Sequence, residues 1–109
     1  MKFNKKGNKT MKKATKQNPY VVVRTYSAGV HVGTLAKQSE DGKRVTLIGA
    51  RRIWSWTGAN TLHEISLRGV GPKSRVSDPV SEIELMEAIE VIRCSSEGQK
   101  ALEGASWLA

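Results

Sequence analysis

Between residues 20 and 57 the chain alternates with a period of two, and this restricts what it can build more than any other feature. Residues Tyr20 to Tyr26 are mostly β-branched or aromatic and read as a strand. Successive strand side chains point to opposite faces. Val21, Val23 and Thr25 therefore make the cleaner core face, while Arg24 and Tyr26 point the other way, toward solvent, a partner or a ligand. Ser27-Ala28-Gly29 forms a tight connection into a return strand over residues 30 to 37. Gly33 within that strand signals a bulge or a close approach by another backbone or a ligand. Asp41-Gly42 predicts a type I′ hairpin turn into a third strand from Arg44 to Ile48. Gly49-Ala50 reads as a short break before a fourth strand, Arg51 to Trp56. Consecutive antiparallel strands joined by short turns make a meander.

The second half is expected to add helices and further strands. Thr61 and Glu64 have the spacing of a capping box, which predicts a short helix ending at Gly69. Its free N-terminal amides make an anion site, unless Thr61 and Glu64 satisfy them internally. Residues 69 to 80 form a Gly-, Pro- and Ser-rich loop carrying Lys73 and Arg75, either solvated or able to close over an anion. From Ser81 to Cys94 the apolar pattern favours two strand-like pieces broken near Met86-Glu87, with a helix as the competing reading. A last helix over 96 to 103 is capped by Ser95 or Ser96 and weakened by Gly98; Trp107 and Leu108 pack it onto the sheet. The expected fold class is α+β, an antiparallel β-meander of about four to six strands with two short helices.

Charge divides the chain differently. The net charge is +8, but residues 1 to 18 hold seven lysines and no acid; the rest has 11 basic against 10 acidic residues. The basicity belongs to a flexible tail, 1–18, and residues 19–109 form a single domain. Such a tail buries too little apolar surface to fold alone. It either solubilises the protein or contacts nucleic acid non-specifically. Met11 is a second candidate start, which would leave part of the tail outside the working protein.

Several chemistries find no support in the residues. No apolar run approaches the roughly 20 residues a membrane helix needs, and no apolar segment follows the first lysines as in a secretory signal. The lone Cys94 rules out an internal disulfide and suits a reducing cytoplasm. His31 and His63 stand apart with no Cys/His cluster, so neither a metal nor a cofactor is expected. Phosphate-loop, dinucleotide-loop and nucleophile-elbow patterns are missing. Nothing brings an acid, a base and a nucleophile together, which argues for a binding protein rather than an enzyme.

The stretch Ala50-Arg51-Arg52-Ile53-Trp54-Ser55-Trp56 is the place to look for a ligand. On a strand, Arg52, Trp54 and Trp56 share one face, and Arg51, Ile53 and Ser55 the other. Indole rings stack on a base and guanidinium groups hold phosphate. The competing reading makes the tryptophans core and the arginines a sheet edge. The candidate ligand set is Arg24, Tyr26, Arg51, Arg52, Trp54, Trp56, Asn60 and Arg75: tryptophan or Tyr26 under a base, arginines on phosphates, Asn60 at a base edge.

Two segments, Val23 to Gly33 and Ala50 to Ala59, followed by Glu87 to Ile92, resemble small phage and prophage proteins, in particular the Thoeris anti-defence family of the first type. The resemblance covers residues 20 to about 107. It implies a non-enzymatic sponge in the host cytoplasm. Such a protein sequesters cyclic ADP-ribose-type signals made by bacterial TIR proteins, in some members cyclic oligonucleotides as well. It also implies a homo-oligomer with ligand sites at subunit contacts. The alternative is a virion decoration protein whose lysine tail lies against DNA or an acidic capsid surface.

Overall fold

The period-two segments become strands and the capped segments become helices. The computed structural model describes residues 18–107. Its elements are β1 (Tyr20–Thr25), β2 (Val30–Gln38), β3 (Val45–Ser55), α1 (Leu62–Arg68), β4 (Arg75–Val76), β5 (Val80–Leu85), β6 (Ala88–Arg93) and α2 (Ser96–Glu103). Together they form a six-stranded antiparallel sheet with two helices, a small α+β fold. The segment before Asn18, with its seven lysines, lies outside the described residues.

Strand order explains the shape. The sheet runs β4-β3-β2-β1-β6, and β5 also pairs with β3. β5 and β6 are therefore opposite edges, yet only Met86 and Glu87 separate them in sequence. The sheet must curl until those edges nearly meet. Two bonds hold the link: Ala88 N–H donates to the Lys43 carbonyl at 2.9 Å, and Tyr26 N–H to the Glu87 carbonyl at 3.0 Å. The two strand-like pieces expected around Met86-Glu87 are thus β5 and β6, not a helix.

Curling gives the sheet two buried faces. The inside of the curl holds Val21, Val23, Val45, Leu47, Ala50, Leu85 and Ala88. The outside is covered by α1 and α2 over Tyr20, Val22, Val32, Ile53, Ile65, Val76 and Leu102. Each fully buried aliphatic side chain contributes roughly 1.5–3 kcal/mol. Tyr20 and Val22, which alternation assigned to the outer face of β1, are core because helices cover that face. Arg24 and Tyr26, beyond the helices' reach, are exposed as expected.

β3 is one strand of 11 residues rather than two with a break. Gly49, at φ +61°, is absorbed as a bulge. Thr34 pairs with Ile48 while Val32 pairs with Arg51, so β3 has one more residue than β2 between those pairs. The extra residue reverses the alternation. Val45, Leu47 and Ala50 face the inside of the curl, whereas Ile53 joins the helix-covered core. Gly33 sits opposite this bulge; a Cβ there would lie 3.1 Å from the Ile48 carbonyl oxygen, the close backbone approach its position in a strand signals. The Asp41-Gly42 hairpin differs in detail from a type I′ turn. Gly42 takes φ +81° but Asp41 does not have a positive φ, and Gly42 N–H donates to the Ser39 carbonyl. The Asp41 carboxylate accepts from Ser39 Oγ at 2.7 Å and from Lys43 N–H at 2.9 Å, which satisfies the turn locally.

The helices pack through small residues. A Cβ on Gly98 would stand 2.1 Å from the Ser66 carbonyl oxygen, so this position must be glycine for α2 to lie on α1. The loss of helix propensity at Gly98 is the cost of that contact. Ser95 joins the two elements: its Oγ accepts from Gly98 N–H at 3.0 Å and donates to the Leu67 carbonyl at 2.8 Å. α1 carries the expected capping box from Thr61 and Glu64.

Candidate functional site

Beyond Ala50, β3 leaves the closed part of the curl, and its alternation sends neighbouring side chains to opposite sides. Arg51 goes to the helix side. Arg52 and Trp54 stay on the side of His31, which is the cross-strand partner of Arg52. Here β5 has given way to the two-residue β4, and the gap leaves a cavity of about 350 Å³. His31, Ala50, Arg51, Arg52, Trp54, Ser77, Val80, Ile83 and Trp107 line it. That size lies at the lower end of small-ligand sites, which run from about 300 to 1,000 Å³.

The aromatic wall is a pair. Trp54 is 61% exposed, and its ring centroid lies 6.3 Å from that of Trp107 at an interplanar angle of 26°. The Arg75 guanidinium stands 6.0 Å from the Trp107 ring centre, at the limit of a cation–π contact. Ser77 secures the rim: its N–H donates to the Arg52 carbonyl and its Oγ accepts from Arg52 N–H, both at 2.9 Å.

The two adjacent arginines have different roles. Arg51 is buried, and four of its five N–H donors are engaged. Nε donates to the Ser77 carbonyl at 2.8 Å, Nη1 to Leu102 and Glu103 carbonyls at 2.8 and 3.2 Å, and Nη2 to the Ala105 carbonyl at 2.5 Å. It caps the C-terminal end of α2, where unpaired carbonyls and the helix dipole favour a cation. Arg52 is exposed, and among the described residues its guanidinium has neither a carboxylate nor a hydrogen-bond partner. It also borders two neighbouring clefts, one along Ser27 to Val30 with Trp56 and one along Ile83 to Glu87. Among the described residues Arg52 is therefore a free cation on this surface.

His31 is 1% exposed and forms part of the cavity lining. Its Nε2 lies 2.9 Å from the Ala28 carbonyl oxygen and must donate to it. Burial, together with the Arg52 charge, pushes its pKa below the ordinary value despite that bond, so the ring is neutral at physiological pH. Burial raises the Cys94 thiol to about 11, and Cys94 does not line the cavity. Among the described residues no group of three His, Cys, Asp or Glu side chains is placed to hold a metal.

Around this cavity the structure thus brings together four of the eight residues singled out from sequence: Arg51, Arg52, Trp54 and, through Trp107, Arg75. Arg51 contributes through its grip on the backbone. Trp56 lies past the end of β3, half-buried against the helix-side core, with Nε1 donating to the Ala59 carbonyl at 3.2 Å. Trp54 is therefore the open ring and Trp56 the half-buried one, and the two meet only along the neighbouring cleft beside Ser27 to Val30. Arg24 lies on β1, two strands from β3, paired to Glu90 at 3.1 Å, and Tyr26 lies just past the end of β1. Asn60 is exposed before α1 and does not line the cavity. The α1 N-terminus is no anion site, because the Glu64 carboxylate accepts from Thr61 N–H at 2.7 Å and fills that role; the Thr61 hydroxyl first, and then this N–H, lower its pKa. Nor is the 69–80 loop loose. Gly71 N–H donates to the Thr57 carbonyl and Thr57 N–H to Ser74 Oγ.

Sequence reasoning missed His31, Ser77 and the role of Trp107 as a wall. Trp107 was readable as an apolar anchor; only the path of the chain after α2 turns it toward Trp54. Among the described residues no helix is long and apolar enough to cross a membrane. No curated protein and no solved structure matches the chain. A family model described as a domain of unknown function, DUF6948, matches residues 18–102, from the start of the sheet to the last turn of α2, and the chain belongs to that family.

Proposed function

We propose that this protein is a non-enzymatic binder of a flat anion of the nucleotide class, held in the cavity beside β3. One observation carries the reading: an unpaired guanidinium, Arg52, stands beside an exposed, paired indole, Trp54, at the mouth of a cavity of ligand size. A ring stacks on indole, with about 1–3 kcal/mol per base. A phosphate takes the charge of Arg52, and Arg75 adds a second cation nearby. The neutral His31 and the Ser77 hydroxyl offer polar contacts without acid–base chemistry at a nucleophile.

The resemblance of Val23–Gly33 and Ala50–Ala59 to Thoeris anti-defence proteins gives this reading its biological form. In that form the protein is a phage-encoded sponge that sequesters cyclic nucleotide-type signals in the host cytoplasm. The apolar rim of Trp54, Val80 and Trp107 suits a second copy at the mouth of the site. Calorimetry against adenosine monophosphate, cyclic ADP-ribose and cyclic dinucleotides tests the binding, with the Arg52→Ala/Trp54→Ala double variant as control. Heat from at least one ligand, lost in the double variant, is expected. A folded protein that binds none of the panel sinks the reading, and a monomer by light scattering at high concentration removes the shared-site form of it.

A further inference from the structure

Trp107 stacks on the side of β3 away from the helix that precedes it. α2 ends at Glu103 on the helix-covered face of the sheet, while Trp107, four residues later, stacks on Trp54 on the other side of β3. The chain therefore crosses the sheet edge. It does so where Ser77 to Pro79 separate the short edge strands β4 and β5, since Ser77, Val80 and Trp107 line one cavity.

Arg51 stands at that crossing. One side chain grips the rim through the Ser77 carbonyl and the departing chain through the carbonyls of Leu102, Glu103 and Ala105. The last of these lies two residues before Trp107. The planar fork of arginine suits several acceptors held in one geometry, and its charge does not titrate. The ring contacts of Trp107 among the described residues are weaker: an indole pair at 6.3 Å and a cation at 6.0 Å.

We propose that Arg51 is a positioning residue: its guanidinium latches the chain between Leu102 and Ala105 and so sets Trp107 against Trp54 as the outer wall of the cavity. The consequence for ligands rests on the cavity being the binding site; the latch itself does not. Substitutions at Arg51 should therefore alter the Trp54–Trp107 pair and the affinity together, although four of the five Arg51 N–H donors are already bonded to backbone carbonyls.

Two close indoles couple and give an exciton couplet in far-ultraviolet circular dichroism. The difference spectrum between wild type and Trp107→Phe isolates it in the full-length protein. Arg51→Met is expected to lose the couplet below its melting temperature while keeping the sheet spectrum, and Arg51→Lys to recover part of it. If Arg51→Met does not fold, Arg51→Lys decides: a folded lysine variant with the wild-type couplet overturns the latch. So does a folded Arg51→Met that keeps it, or a wild type that shows no couplet relative to Trp107→Phe.

Titration with adenosine monophosphate gives the second readout. Arg51→Met and Trp107→Ala should each raise Kd about tenfold, and the double variant should be no worse than Trp107→Ala alone. Additive losses would mean that Arg51 does not act through Trp107, and would overturn the proposal. If wild type does not bind adenosine monophosphate, the ligand reading loses its support for that probe while the couplet decides the latch alone.

Discussion

The two halves of β3 obey different rules. From Val45 to Ala50 the strand is paired on both sides, to β2 and β5, and Val45 and Leu47 are fully buried inside the curl. From Arg51 to Ser55 the β5 partner is replaced by the two residues of β4, and the exposed residues are Arg52, Trp54 and Ser55. The Gly49 bulge divides the halves and reverses which face each residue takes. One strand can thus end a core and begin a site. Its first half is committed to stability and its second half is open to a ligand, with Arg51 and Ile53 as the exceptions that belong to the structure.

The comparison breaks most readily at Leu47. Leu47→Ala removes a fully buried side chain and is expected to destabilise by about 3 kcal/mol, read by chemical denaturation. A loss under about 1 kcal/mol would mean the inside of the curl is not a packed core. Arg51→Met comes next, at about 2 kcal/mol, because buried carbonyls at the end of α2 lose charged donors. Arg52→Ala, one residue away, should leave the denaturation midpoint nearly unchanged. Equal losses at both positions would erase the distinction between the two arginines.

Acid gives a third, smaller effect. Unfolded, His31 takes up a proton around its ordinary value of about 6.5. Folded, burial and Arg52 keep its pKa below that. The unfolded chain therefore binds more protons as pH falls, so stability is complete above about 6.5 and declines below it. Thermal melts between about pH 7.5 and pH 5 should show this decline, and His31→Gln should flatten its upper part, above the range where carboxylates titrate. The smallest effect belongs to Trp54→Ala. A ring 61% exposed should cost under about 0.5 kcal/mol of stability while removing the proposed stacking platform. A large stability loss there would sharpen the opposite view, that the Trp54–Trp107 pair exists to hold the fold.

Most of the fold could be read from local signals, because strands, turns and caps are local physics. The alternation of Val21 and Val23, the Asp41-Gly42 turn and the Thr61–Glu64 box all act within a few residues. What could not be read depends on distant partners. Tyr20 and Val22 are buried only because α1 and α2 cover them. Gly49 looked like a break because glycine marks breaks and bulges alike; the choice was made by pairing with β2 and β5. The site was legible as a stretch but not as a set. Arg51 is set apart from Arg52 by carbonyls 51 to 54 residues further along the chain, and Trp54 from Trp56 by where β3 stops.

The curl also has a kinetic side. β1 pairs with β6, so Val21 meets Arg93 and Val22 meets Ile92, contacts that span most of the described chain. Such pairings are slow to form, because loop-closure entropy is lost before the strands gain anything from meeting. During synthesis β1, β2 and β3 can assemble as successive hairpins while β1 still has an open edge. Until Arg93 has emerged, that edge is a run of valines with two apolar faces, the kind of strand that pairs with a second copy of itself. The time between making residue 55 and residue 93 is therefore when this chain is most exposed to aggregation.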